Sequence, residues 1–186
     1  PVGVVRVDPQ EVHRDLARNV LSSDEPSRVT VNVLQEHNLA ELYDDDPEMA
    51  LAVLHVHATG DAVRGSTIFA LAELSFLHAE RSKKSSYHLA AAVYAFAFLF
   101  PEAPAAPPDP FDSRLRLATD LYNRAITAAF KTADGFHVEL RSGICPLPFG
   151  EIAITFDETE LRWAGRRLTD LVPMSELKVR GLKARY

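Results

Sequence analysis

The stretch YHLAAAVYAFAFLFPE, Tyr87 to Glu102, decides the fold class, because from Leu89 to Phe100 its only polar side-chain group is one tyrosine hydroxyl. A helix rises about 1.5 Å per residue, so this run would span roughly 18 Å, well short of the roughly 30 Å of bilayer hydrocarbon. We therefore predict a core helix over residues 86–100, rather than a membrane span or a ligand-lined channel. Its aromatic side chains are expected to fill the space between helices: Tyr94, Phe96, Phe98 and Phe100.

The composition of the chain is that of an ordinary globular domain. It has 186 residues, 47% of them hydrophobic and 25% charged. The net charge of -6 argues against a general affinity for nucleic acid or anionic membrane. Cys145 is the single cysteine, which excludes an intrachain disulfide and a cysteine-based zinc site. The opening PVGVVRVDP does not resemble a signal peptide, so a mature or excised segment is expected.

Three Asp-Pro pairs punctuate the chain: Asp8-Pro9, Asp46-Pro47 and Asp109-Pro110. Each suits a helix start, with the aspartate as N-cap and the proline in the first helical position. The predicted helices cover residues 9–21, 26–42 (continuous or broken), 47–59, 64–81, 86–100 and 110–131. Short turns join the middle helices, so neighbours are expected to run antiparallel. The proline-rich segment 101–110 is predicted to be an extended surface connection.

The pattern changes after residue 134. The segments FHVEL, residues 136–140, and EIAITF, residues 151–156, alternate apolar and polar side chains and predict strands. The glycines and prolines of residues 141–150 predict a loop. One or two more short strands are expected after residue 160, and residues 2–7 are a candidate strand for the same sheet. The fold class is therefore α+β, a mainly helical antiparallel hairpin array over residues 1–134 followed by a small β-rich junction, 135–186.

No segment carries a catalytic signature, since a Gly-x-Ser-x-Gly elbow, a phosphate loop and a dinucleotide fingerprint are all missing from the sequence. His55 and His57 stand two residues apart, which points them in different directions on a helix and does not suit a metal. The run Asp44–Asp46 with Glu48 lacks the spacing of a calcium loop and is better explained by helix capping. Cys145 is expected to be a small buried side chain rather than a nucleophile. No cofactor and no metal are predicted.

Two segments resemble a known family. FALAELSFLHAERSKKSSYHLAAAVYAFAFLF, residues 69–100, is similar to a helix pair of the tetratricopeptide type, with small residues at Ala72, Ala79 and Ala92. Residues 147–186 resemble the segment that joins such a helical region to the catalytic domain of large bacterial α/β-hydrolase proteins of the lipase or esterase type.

This resemblance implies a non-catalytic accessory domain that packs on a serine ester hydrolase and shapes access to it, in the cell envelope or secreted. The catalytic α/β-hydrolase domain or chain would be its partner. No residue matches the serine elbow of the family, so no catalytic residue is carried over. A free-standing protein-interaction module of helical-repeat type is the alternative.

The end of the chain, SELKVRGLKARY, alternates apolar residues with Lys178, Arg180, Lys183 and Arg185. Four positive charges of this kind are more typical of a solvated linker than of a nucleic-acid site. The apolar members are expected to contact the following domain or chain. We therefore predict a partner interface that includes Val179, Leu182 and Tyr186.

Overall fold

The computed structural model describes residues 8–10, 18–59, 65–103, 105–132, 138–140, 142–157, 162–167 and 170. Its helices are α1 Val20–Ser23, α2 Arg28–Glu36, α3 Ala40–Asp45, α4 Pro47–Ala58, α5 Gly65–Ser82, α6 Ser85–Leu99 and α7 Arg114–Ala129. Its strands are β1 Gly143–Leu147, β2 Gly150–Ile154, β3 Arg162–Trp163 and β4 Arg166–Arg167. The described residues are mostly helical, with two separate two-stranded antiparallel sheets, β1–β2 and β3–β4, which confirms the α+β class.

Helices α5, α6 and α7 form the centre of the molecule. Only Lys83 and Lys84 connect α5 to α6, so the two helices pack as an antiparallel pair. Alanines line the contacts and let the backbones approach closely, while leucines and aromatic rings fill the remaining space. Each buried leucine contributes about 2 kcal/mol through removal of its side chain from water. Buried members of this centre include Phe69, Leu71, Ala72, Leu74, Leu77, Ala79, Ala91, Ala92, Ala95, Ala118, Leu121 and Ala125.

The prediction that α6 is a core helix is confirmed for most of its length, but not for its C-terminal end. Tyr94 and Phe98 are buried as expected. Phe96 and Phe100 are instead 49% and 63% exposed, and their rings lie 5.0 Å apart. The reason is that this end of α6 is only partly covered: the Phe96 ring lies 6.0 Å from the Tyr122 ring of α7, and about half of Phe96 faces solvent. These two rings form a small aromatic edge on the surface.

The cap predicted at Asp46 is confirmed. Its carboxylate accepts a hydrogen bond from the Met49 N–H at 3.0 Å, and Pro47 occupies the first turn of α4. Asp8 accepts from the Gln10 N–H at 2.7 Å, where Pro9 and Gln10 are helical. Helices α4, α5 and α6 match their predicted bounds to within one residue at each described end.

The start predicted at Asp109 is wrong, because α7 begins at Arg114. The Asp109 carboxylate accepts from the Phe111 N–H at 2.8 Å and closes a turn instead of a helix. Asp112 then accepts from the Arg114 N–H at 2.9 Å and pairs with the Arg114 guanidinium at 2.6 Å. The described residues of the preceding segment 101–110 are neither helix nor strand, as predicted.

Two predicted helices end or break at an asparagine. The segment 26–42 is broken into α2 and α3 at Asn38, which adopts a φ of 54°. The Leu39 N–H donates to the Leu34 carbonyl at 2.8 Å and the Asn38 N–H donates to Gln35 at 3.1 Å, so a Schellman motif ends α2. The predicted helix 9–21 does not run through to Leu21, since Asn19 is extended and caps the separate helix α1.

The strand predicted over residues 151–156 is found as β2, residues 150–154, whereas the segments before it differ from their predictions. Residues 143–147, expected in a loop, form β1 and pair with β2, and the turn between them is Pro148-Phe149. Pro146 is tolerated because each strand of a two-stranded sheet has a free edge where no N–H is needed. In the segment predicted as a strand over 136–140, Val138 makes only an isolated bridge to Lys131, and residues 136 and 137 lie outside the described residues.

The first hairpin packs on the helices through its tip. Leu147 and Phe149 are partly buried against the main hydrophobic core. The short strands β3 and β4, which the sequence predicted after residue 160, pair across a turn with positive φ at Ala164 and Gly165. The candidate strand at residues 2–7 lies outside the described residues.

Candidate functional site

The outer face of α4 is the most distinctive surface of the described molecule. Met49 is 53% exposed and Val56 is 68% exposed, with the exposed Ala52 between them and the half-buried Val53 beside them. The spacing i, i+3, i+4, i+7 places these four residues in one stripe along the helix. We call this stripe, Met49, Ala52, Val53 and Val56, the α4 outer face.

The opposite side of α4 explains why the outer face is unusual. Ala50, Leu51, Leu54 and Ala58 are buried and hold α4 against α5 and α3. A surface helix ordinarily has polar residues opposite such a buried face. In the sequence PEMALAVLHVHA the residues opposite the core are again apolar. Helix α4 therefore has a second apolar face, in addition to the one that packs on α5 and α3.

Acidic residues surround the N-terminal end of this face. Asp44, Asp45 and Asp46 are exposed directly before α4, and Glu41 is exposed on α3. Between Arg28 and Arg64 the sequence has seven acidic residues and no lysine or arginine. The net charge of -6 is therefore concentrated in the stretch that contains α4, and the rest of the chain is close to neutral.

His55 and His57 contact different partners, as their spacing predicted. The His55 Nδ1 is hydrogen-bonded to the Tyr94 hydroxyl at 2.8 Å, and its ring stacks on Phe149 of the hairpin tip at 4.5 Å. Burial lowers the pKa of His55 and raises that of Tyr94. The His57 ring lies 4.7 Å from His37 at the end of α2. His55 thus joins α4, α6 and the hairpin as a packing residue.

Glu48 connects three helices at one end of the bundle. Its Oε1 lies 3.1 Å from the Nε2 of His78 on α5 and is ion-paired with the Lys84 ammonium before α6. The hydrogen bond from Lys84 lowers the pKa of Glu48. Tyr87 packs edge-on against the His78 ring at 4.5 Å. Glu48, for which the sequence predicted a role in helix capping, therefore belongs to a side-chain network instead. The cap of α4 is provided by Asp46.

Cys145 lies on β1 and lines a cleft of about 330 Å³ between the start of α6 and the end of α7. It is partly exposed rather than fully buried, which corrects the expectation of a buried side chain, because the cleft that it lines is open to solvent. Ser85, Ser86 and Pro146 also line this cleft. Within the described structure, none of Cys145, Ser85 and Ser86 is hydrogen-bonded to a histidine.

Glu73 and His88 are buried polar residues that sequence reasoning missed. Glu73 is fully buried in α5 and accepts hydrogen bonds from Val20, Ser27 and Thr30. His88 is 8% exposed, and its Nδ1 has no hydrogen-bond partner within the described structure. The available signal for Glu73 was its position as the one charged residue in the apolar run FALAELSFL, residues 69–77.

Two further observations concern the described residues alone. These residues contain no group of three or more potential metal ligands. No helix among them is long and apolar enough to cross a bilayer. The predicted interface residues Val179, Leu182 and Tyr186 lie outside the described residues, so that interface stays a prediction.

Comparison with known proteins gives no identification: no family model, curated protein or solved structure matches the chain.

Proposed function

We propose that this chain is a non-catalytic helical domain that binds another protein domain through the α4 outer face. The exposure of Met49 and Val56 is the observation that carries this proposal. Exposed apolar stripes rimmed by charged residues are typical of protein interaction sites, because burial of such surface drives association. Val53 also packs against the main core, but Met49 and Val56 are more than half exposed and contribute little to the fold of the chain itself.

The partner proposed is a serine ester hydrolase of the α/β-hydrolase type. Support comes from the resemblance of residues 69–100 and 147–186 to the helical and joining segments of such proteins. In this proposal the chain serves as an accessory domain that shapes access to the catalytic part. A free-standing interaction module is the second candidate, and it is favoured by the same exposed α4 outer face.

Two measurements on the purified chain test the proposal. Incubation with short acyl p-nitrophenyl esters should show no turnover above the buffer rate. The tagged chain should also recover, from cells of its source organism, a protein that reacts with a fluorophosphonate probe for serine hydrolases.

Matched variants connect this recovery to the surface. Val56→Asp places a charge in the α4 outer face, whereas Ile144→Asp places one on the hairpin at a side chain with nearly the same exposure, 70% against 68%. Recovery should be lost with Val56→Asp and kept with Ile144→Asp. Ester turnover by the chain alone would overturn the non-catalytic role. Recovery of a partner that does not react with the probe would favour the free-standing module.

A further inference from the structure

The shape of the α4 outer face indicates which kind of element covers it. Ala52 is small and lies between the larger side chains Met49 and Val56, so the stripe has a notch at its centre. Notches of this kind accept a side-chain ridge of a second helix. Met49 can adapt to the contour of a partner because its thioether chain is unbranched and flexible.

The backbone of α4 argues against an extended partner segment. A strand binds mainly through main-chain hydrogen bonds at an open sheet edge. The N–H and C=O groups in the middle of α4 are already paired within the helix, and the Asp46 carboxylate caps the Met49 N–H. A partner can therefore contact the α4 outer face only through side chains. A helix binds another helix through side-chain contacts of this kind.

The charge around the N-terminal end of α4 indicates which charged residues the partner helix carries. Asp44, Asp45 and Asp46 present exposed carboxylates at one end of the stripe, within a stretch of sequence that has no lysine or arginine from residue 29 to residue 63. A second copy of this chain would not supply a complementary positive charge from its own α4, which contains no lysine or arginine. A partner with lysine or arginine at this end would be attracted, both during encounter and in the complex.

We propose that the α4 outer face binds an amphipathic helix of a partner protein whose apolar stripe is flanked by lysine or arginine. The basic residues meet Asp44, Asp45 and Asp46, and the apolar side chains cover Met49, Val53 and Val56. This inference rests on the protein-binding role proposed above and names the chemistry of the partner surface.

Two synthetic 18-residue peptides test it on the purified chain. Both have leucine at helical i, i+3, i+4, i+7 spacing, with lysine flanking the stripe in one and glutamate in the other. In amide NMR titrations the lysine peptide should shift the signals of Met49, Ala52, Val53 and Val56. The glutamate peptide should bind at least about tenfold more weakly, which corresponds to about 1.4 kcal/mol.

Variants separate the apolar and charged contributions. Val56→Asp should weaken binding of the lysine peptide at least about tenfold, while Ile144→Asp should leave it unchanged. The double variant Asp44→Asn with Asp45→Asn leaves the Asp46 cap intact and should weaken binding several-fold, more at low salt than at high salt.

Several results would overturn the inference: equal binding of both peptides, shifts at Phe96 and Phe100 instead of α4, or self-association of the chain that Val56→Asp abolishes. Failure here is distinguishable from failure of the proposed function. If neither peptide binds but Val56→Asp still loses the cellular partner, the partner chemistry is wrong and the protein-binding role stands.

Discussion

At the scale of single residues, Glu73 holds the N-terminal helices to the centre of the molecule. Its carboxylate accepts the Ser27 hydroxyl and the Thr30 hydroxyl, each at 2.6 Å, and the Val20 N–H at 3.3 Å. Burial raises the pKa of Glu73, while these donors act in the opposite direction. One side chain of α5 thus satisfies polar groups from α1, from α2 and from the connection between them.

Replacement of Glu73 by alanine should therefore be costly. Glu73→Ala leaves buried donors without an acceptor and opens a cavity, so we expect a loss of about 3 kcal/mol in the free energy of unfolding. Urea denaturation followed by circular dichroism measures it. The matched control is Glu80→Ala on the same helix, whose side chain is 46% exposed; it should cost less than about 1 kcal/mol. Equal losses would contradict the role assigned to Glu73.

His88 gives the protein a pH dependence of known sign. Burial lowers the pKa of His88 in the folded state, while Glu80 at 3.5 Å opposes this shift and Lys83 adds to it. A histidine with a lowered pKa stabilises the fold above its unfolded pKa of about 6.5 and loses that contribution as the pH falls. We expect the free energy of unfolding to fall below pH 6.5.

The variant His88→Phe isolates this effect, since phenylalanine keeps an aromatic ring near Phe76 but cannot titrate. Its free energy of unfolding should fall less steeply than that of the wild type as the pH is lowered from about 6.5, measured in parallel urea series. Parallel curves for the two proteins would show that His88 does not contribute to the pH dependence.

At the scale of elements, the β1–β2 hairpin is attached to the helices at its tip. Phe149 stacks on His55 of α4 and lies 5.1 Å from the Tyr94 ring of α6, whereas Ile144 on β1 is 70% exposed. An isolated two-stranded hairpin is marginally stable in water. Contact with α4 and α6 therefore stabilises the hairpin.

Removal of the tip ring should release the hairpin. For Phe149→Ala we expect a loss of about 2 kcal/mol in the free energy of unfolding and faster amide hydrogen exchange in β1 and β2, with little change in α5. Ile144→Ala is the control and should change neither quantity appreciably. Unchanged exchange in the Phe149 variant would mean that the hairpin is held by other contacts.

At the scale of the whole molecule, sequence periodicity and caps predicted α4, α5 and α6 well, because their signals are local. The Asp46-Pro47 start and the apolar runs of α5 and α6 needed no knowledge of neighbours. The Asp109-Pro110 pair looks the same in sequence, yet it closes a turn, because Asp112 provides a second acceptor two residues before Arg114. Whether an Asp-Pro pair begins a helix or closes a turn therefore depends on contacts that cannot be read from the sequence pattern.

The candidate site was less predictable for a similar reason. The sequence PEMALAVLHVHA shows that α4 is apolar on both faces, but not which face the rest of the molecule covers. Only the packing of α4 on α5 and α3 leaves Met49 and Val56 outside. Strand β1 of the hairpin was missed for a different reason: Gly143, Pro146 and Pro148 are typical of loops, and the hairpin tip is stabilised by Tyr94 and His55, which are distant in sequence.

Photo-crosslinking from position 56 tests most directly the central claim that the α4 outer face binds another protein. The photoreactive residue benzoylphenylalanine is introduced at Val56, or at Ile144 as the control, and the chain is irradiated in cells of its source organism. The account predicts a discrete adduct from position 56 that is identified by mass spectrometry as another protein, with no such adduct from position 144. Adducts of equal yield from both positions, or none from position 56, would contradict it.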